Sequence, residues 1–228
     1  GGGAAPVTFH MLSALPGFME RAPVRRTVAR SGLVRSTSVR LAGEPEGRDG
    51  LRNAENGHPG GMSEMQIGEA FVGSGVNAAH VNTVLGQRDG PVGTAWATAL
   101  ATPRAGHVPF VAVLRPGLAV QPMTLFVNKA GIEPGRHGDL TWGAAQAGVA
   151  AGVAEAVAEG IIDRALVGDL VLIAAVWVNP AAEDEEAVFS NNREATLGAL
   201  RRGSEGSPAV VDVLAERDDA WNPFFRAR

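Results

Sequence analysis

Cysteine is missing from all 228 residues, which excludes disulfides, thiolate nucleophiles and thiolate metal sites together. That absence is compatible with a reducing cytosol, and a cytoplasmic location is the expectation. Lysine is nearly missing as well: of the 20 basic residues all but Lys129 are arginine. A planar, permanently charged guanidinium cannot stand in for a compact ammonium at a tight contact, so the position of the one lysine matters. No apolar run approaches the roughly 20 residues that cross a bilayer, and no membrane partner is expected. A net basic balance is also lacking. The formal charge of -4 and pI near 5.8 speak against nucleic acid and anionic membrane, and for a small or neutral ligand.

What is present is enough apolar residue, 45%, to build a core. The charge is unevenly spread. Through Gly61 there are eight arginines and five acids, leaving twelve basic and nineteen acidic residues beyond it. The first stretch opens with GGG, contains "RRTVARSGLVRSTSVR" and ends in "NGHPGG", without a sustained period of 2 or 3.6. Residues 1–61 are therefore predicted to be a disordered or dispensable extension, and 62–228 the folded domain. The Arg-rich, acid-poor segment from Met11 to Arg40 lacks the apolar core of a signal peptide. An over-extended reading frame with a functional start at Met62 or Met65 is the plainer expectation.

From Gln66 the pattern changes. "MQIGEAFVG" and "AHVNTVLG" read as short strands closed by glycine. "RDGPVGTAWATALATP" gives a turn, a proline at a first helical position, and a helix stopped by Pro103. "VPFVAVLRP" and "MTLFVNKAG" read as central strands. "GDLTWGAAQAGVAAGVAEAVAEGII" is the clearest helix, capped by Asp139 or Thr141 and ended by Gly160. "DLVLIAAVWVNP" is a buried strand. The acids Glu183 to Glu186 precede a helix that closes on Arg201 and Arg202, which complements its macrodipole and explains the acids without a metal. "PAVVDVLAERDD" is a last short helix. The predicted order is β-β-α-β-β-α-β-α-α, one layered α/β (α+β) domain.

Strand alternation puts His80, Asn82 and Val84 on one face and Val81, Thr83 and Leu85 on the other. A histidine there is either a satisfied structural residue or a group that gives and takes protons near neutrality. Lys129 shares its face with Met123, Leu125 and Val127, so its ammonium needs a partner, a watery rim or a ligand. Gln146 falls on the apolar stripe Trp142, Val149, Val153, Ala156, where its amide must bond backbone or the edge of a heterocycle. Gly73-Ser74-Gly75 lacks the third glycine and the following helix of a dinucleotide site. His107 and His137 fall in predicted loops without metal-ligand spacing, and Trp96 and Trp177 are read as core.

Taken in order, "GEAFVGSGVNAAHVNTVLG", "GPVGTAWATAL", "AVLRPGLAVQPMTLFVNKA", "WGAAQAGVAAGVAEAVAEGII" and "NNREATLGALRRGSEGSP" resemble the formaldehyde-activating enzyme family, from about Gln66 to Arg217. The resemblance implies condensation of formaldehyde with tetrahydromethanopterin, a hydro-lyase reaction of one-carbon metabolism and formaldehyde detoxification. It implies no metal and no tightly bound cofactor, the reduced pterin being a co-substrate. It places His80 on the catalytic histidine, and Val111, Lys129 and Gln146 on pterin-contacting positions. Two ligand-facing positions depart from the family pattern: Asn82 replaces an aspartate and Gly131 a threonine. Ala144 replaces a usual proline. These departures leave two alternatives: a catalytically weak pterin or formaldehyde binding protein, or the same chemistry on tetrahydrofolate. The implied fold is like the second domain of a small-subunit ribosomal protein, with an unusual left-handed βαβ connection, assembled as a homopentamer.

Overall fold

The computed structural model describes residues 65–222. The predicted extension, 1–61, lies outside them. A five-stranded sheet in the order β1-β2-β7-β6-β3 organises the rest. Its strands are β1 (Gln66–Val72), β2 (Ala79–Gln87), β3 (Phe110–Val111), β6 (Met123–Asn128) and β7 (Leu170–Trp177). Two further strands, β4 (Val113–Arg115) and β5 (Leu118–Ala119), make a separate hairpin. β1, β2 and β7 pair antiparallel in turn; β6 and β7 pair parallel, so the chain between them must cross over the sheet. The helices are α1 (Pro91–Ala101), α2 (Arg136–Leu140), α3 (Gln146–Ala158), α4 (Glu185–Ser204) and α5 (Val210–Ala215).

Alternation decides which sheet face is covered. Val81, Thr83 and Leu85 stand in register with Val176, Ala174 and Leu172, and all six are buried. Against them lies the helical layer, with Val149, Val153 and Ala156 of α3 and Ala195, Ala199 and Leu200 of α4 fully or nearly fully buried. Glycine lets this layer close. A Cβ on Gly148 would lie 2.4 Å from the Phe189 carbonyl oxygen, one on Gly152 2.5 Å from that of Arg193, and one on Gly68 1.8 Å from that of Ala199. At the outer edge Arg193 donates to both oxygens of Glu155 at 2.8 and 3.0 Å, and Arg201 to Glu159 at 2.8 Å. These two ion pairs tie the end of α3 to α4. Asp184 caps α4 by accepting from the Ala187 amide at 3.0 Å.

The opposite face is covered at one end only, where α1 sets Val92 against Gly86, a strand position whose Cβ would meet Val92 Cγ2 at 2.6 Å. Toward the other end, His80, Asn82 and Val84 alternate with the core positions and remain half-buried. Among the described residues no helix is long and apolar enough to cross a membrane.

Three predicted elements differ in detail. "VPFVAVLRP" is two strands, not one, and β3 is an edge strand rather than a central one. The buried Ala112 is the switch: its amide bonds Thr124 on β6 while its carbonyl accepts from Val120, because the turn at Pro116-Gly117 (Gly117 φ 80°) folds β5 back on β4. The long helix begins at Arg136 behind Gly135, with no side-chain cap, so neither Asp139 nor Thr141 starts it. A π turn over Thr141–Ala145 then separates α2 from α3. The wide turn shifts the helical phase, and Trp142, predicted on the apolar stripe, is 44% exposed. The same early start puts His137 inside α2, buried, where Nδ1 accepts from the Glu133 amide and Nε2 bonds the Val178 carbonyl.

Candidate functional site

The sheet face not covered by α3 and α4 gathers the polar groups. Register sets Phe71 of β1 opposite His80 and Glu69 opposite Asn82, while β7 sets Trp177 opposite His80 and Ala175 opposite Asn82. Residues in register share a face, so these side chains form a continuous patch. His80 Nε2 lies 3.0 Å from Glu69 Oε1, and the Phe71 ring stands 5.9 Å from the imidazole at 46°. From the end of β6, Lys129 reaches across β7 and donates from Nζ to Asn82 Oδ1 at 2.6 Å. Its backbone amide bonds the Val176 carbonyl, which fixes the strand end from which the side chain projects. Arg202, from the end of α4, bonds the Glu69 carbonyl at 2.7 Å and stands 3.8 Å from its carboxylate, holding the edge strand and its acid.

The electrostatics are those of a half-dry site. Burial holds the His80 pKa below its ordinary value, and the Lys129 charge lowers it further; the Glu69 carboxylate opposes both by charge and by hydrogen bond. Burial lowers the Lys129 pKa to about 8, again with Glu69 opposing. Glu69 thus bonds the imidazole directly and acts on the amine by charge alone, while the amine's hydrogen-bond partner is the neutral Asn82.

The sequence-predicted residues divide. His80, Asn82 and Lys129 come together. Val111 is half-buried on β3, in register with Leu125, and that pairing puts it on the same face as His80, with β6 and β7 lying between β3 and β2. Gly131 follows Lys129 in the exposed loop after β6, with open space where its Cβ would be. Gln146 is not brought to the His80 group within this chain. It sits buried at the start of α3, and its amide donates to the Val113 carbonyl at 2.8 Å, two residues beyond Val111.

Two further residues of the site, Glu69 and Trp177, carry no sequence pattern that marks them as such. Trp177, read from the sequence as core, is half-buried beside His80 because the β7 alternation places it with Ala175 on the other face. Glu69 has no motif of its own; only the β1–β2 register reveals it.

Comparison with known proteins gives this geometry a context. Residues 67–225 match the family model described as "Formaldehyde-activating enzyme (Fae)". A 5,6,7,8-tetrahydromethanopterin hydro-lyase of Methanosarcina barkeri is 41% identical over 161 residues, covering 71% of this chain and 90% of the relative. A bifunctional enzyme Fae/Hps of Archaeoglobus fulgidus is 41% identical over 161 residues, and one of Methanosphaera stadtmanae 39% over 165. This chain spans 41% of the length of each of those two bifunctional proteins.

Proposed function

The chain belongs to the formaldehyde-activating enzyme family, and from that membership we propose that it condenses formaldehyde with tetrahydromethanopterin to the methylene adduct and water. The observation that carries this reading is the match over residues 67–225, which spans the strand face where His80, Glu69, Asn82 and Lys129 meet.

The reaction states what the site must do. Whichever amine first adds to formaldehyde, the carbinolamine it forms must lose its hydroxyl before two pterin nitrogens can hold the carbon. Hydroxide is a poor leaving group, so an acid is needed at that oxygen. His80 is that acid: its lowered pKa makes the imidazolium a stronger donor, and Glu69 keeps the protonated form accessible. Lys129 and Val111 contact the pterin from the same sheet face. Gln146 serves by holding the Val113 carbonyl, and so the strand segment that carries Val111. Holding both reactants together adds to the rate, because the condensation also proceeds without a catalyst. The pterin enters and leaves as a co-substrate.

The same reading includes a cytoplasmic enzyme serving formaldehyde detoxification, a fold like the second ribosomal-protein domain, and a homopentamer. The incompletely covered sheet face supports assembly, with Phe71, Val84, Ile173 and Trp177 half-buried and Ile67 57% exposed. The test is to mix purified full chain with formaldehyde and tetrahydromethanopterin and follow adduct formation, with tetrahydrofolate in parallel. Turnover above the buffer control with the methanopterin upholds the reading. Turnover confined to tetrahydrofolate reassigns the substrate, and calorimetric pterin binding without turnover makes the protein a binder.

A further inference from the structure

A lysine that only anchors a ligand works best as a permanent cation, and such an ammonium is usually met by a carboxylate. Lys129 is met by a neutral carboxamide oxygen, Asn82 Oδ1, at 2.6 Å. The charges facing it are few: Glu69 from β1 and His80 from β2, while β7 offers Ile173, Ala175 and Trp177 on this face. Burial lowers its pKa to about 8. Much more of it is therefore free amine at pH 7 than of an ordinary lysine, although the weaker basicity gives some of that back as lower nucleophilicity. Its position is also singular in the chain, since no other lysine and no cysteine is present to take up an aldehyde.

We propose that Lys129 captures formaldehyde covalently, as an iminium on its own side chain beside His80, and that the one-carbon unit passes from there to the pterin. Only the transfer rests on the condensation proposed above; capture requires formaldehyde alone. The neutral Nζ adds its lone pair to the carbonyl carbon, the C–O π pair moves to oxygen, and a proton shifts from nitrogen to oxygen, giving the hydroxymethylamine. The His80 imidazolium then protonates the hydroxyl. The C–O bond breaks, water leaves, and the nitrogen lone pair forms C=N. One pterin amine adds to the iminium carbon, the second displaces Nζ, and the two protons they release leave Lys129 as an ammonium. Its deprotonation returns the proton to His80, so formaldehyde and the pterin become methylene pterin and water with the protein unchanged. The capture steps use groups already on the sheet face, Lys129 as the nucleophile and His80 as the acid, and Asn82 meets the ammonium with a neutral oxygen rather than a salt bridge.

Lys129 is the one lysine, so its peptide reports side-chain methylation apart from that of the chain's α-amine. The full chain is incubated with formaldehyde and sodium cyanoborohydride at pH 7 without pterin, together with acetyl-lysine amide as an internal competitor. Methyl groups are then located by mass spectrometry of peptides. The expected result is methylation of Lys129 at least ~10-fold faster than of the competitor, slowed toward it in Asn82→Asp, whose carboxylate would hold the ammonium. Methylation of Lys129 no faster than the competitor would overturn the proposal. The pterin assay reads independently: turnover without fast trapping rejects capture and leaves the condensation standing, while fast trapping without turnover upholds capture and rejects the condensation.

Discussion

His80 works against most of its surroundings: burial and Lys129 favour the neutral imidazole, and Glu69, 3.0 Å away, favours the imidazolium. Glu69→Gln should therefore lower the His80 pKa further. If His80 is the acid, the alkaline fall of the pH–rate profile moves to lower pH in that variant, and an unmoved limb would show that another group donates the proton. Lys129 has a stability consequence. Its folded pKa of about 8 lies below the unfolded value near 10.5, so the unfolded chain binds more protons between them. Wild-type stability should rise as pH climbs from 8 to 10.5. Lys129→Met should then be the more stable protein at pH 7.5, by on the order of 1 kcal/mol once solvent screening of a half-exposed group is allowed for, with the advantage shrinking by pH 10. Urea titrations at the two pH values measure it. Alternation along a single strand was enough to pair His80 with Asn82 from sequence. Glu69 was hidden because its place depends on how β1 registers against β2, which no local period encodes.

Among the helices, the α3–α4 contact shows two effects in competition. Alanine is better than glycine inside a helix by about 1 kcal/mol. At Gly148 the added Cβ would sit 2.4 Å from the Phe189 carbonyl oxygen, and backbone cannot swing aside as a side-chain tip can. Overpacking of this kind costs about 1–3 kcal/mol, so Gly148→Ala should lower the denaturation midpoint despite its helix preference. A midpoint that rose would mean that the helices separate freely there. Periodicity marks α3 because its buried stripe repeats every turn, and the acids and arginines at its two ends mark α4. It missed the π turn at Thr141–Ala145, since one extra residue in a turn leaves no compositional mark, and it joined β3 to β4 because a change of hydrogen-bond partner at Ala112 leaves the apolar run unbroken.

For the molecule as a whole, the sheet is asymmetric: α3 and α4 cover one face fully, while α1 covers only part of the other. An apolar patch from Ile67 to Trp177 around a polar centre is the kind of surface that a second copy of the chain buries. Sedimentation equilibrium at micromolar concentration should give five times the 23.5 kDa of the chain, whereas a monomer would remove the pentamer from the account. Composition had already pointed away from nucleic acid and toward a small ligand, since it depends on no geometry. Assembly of the patch is different: it depends on which strand faces remain uncovered, and that is a property of the folded chain. The most direct test of the central claim is the rate of methylene adduct formation by His80→Ala, checked for an unchanged circular dichroism spectrum and compared with wild type. The predicted result is a fall of about 10²- to 10⁴-fold, toward the uncatalysed rate in buffer. A folded His80→Ala protein that condenses formaldehyde with the pterin as fast as wild type would contradict it.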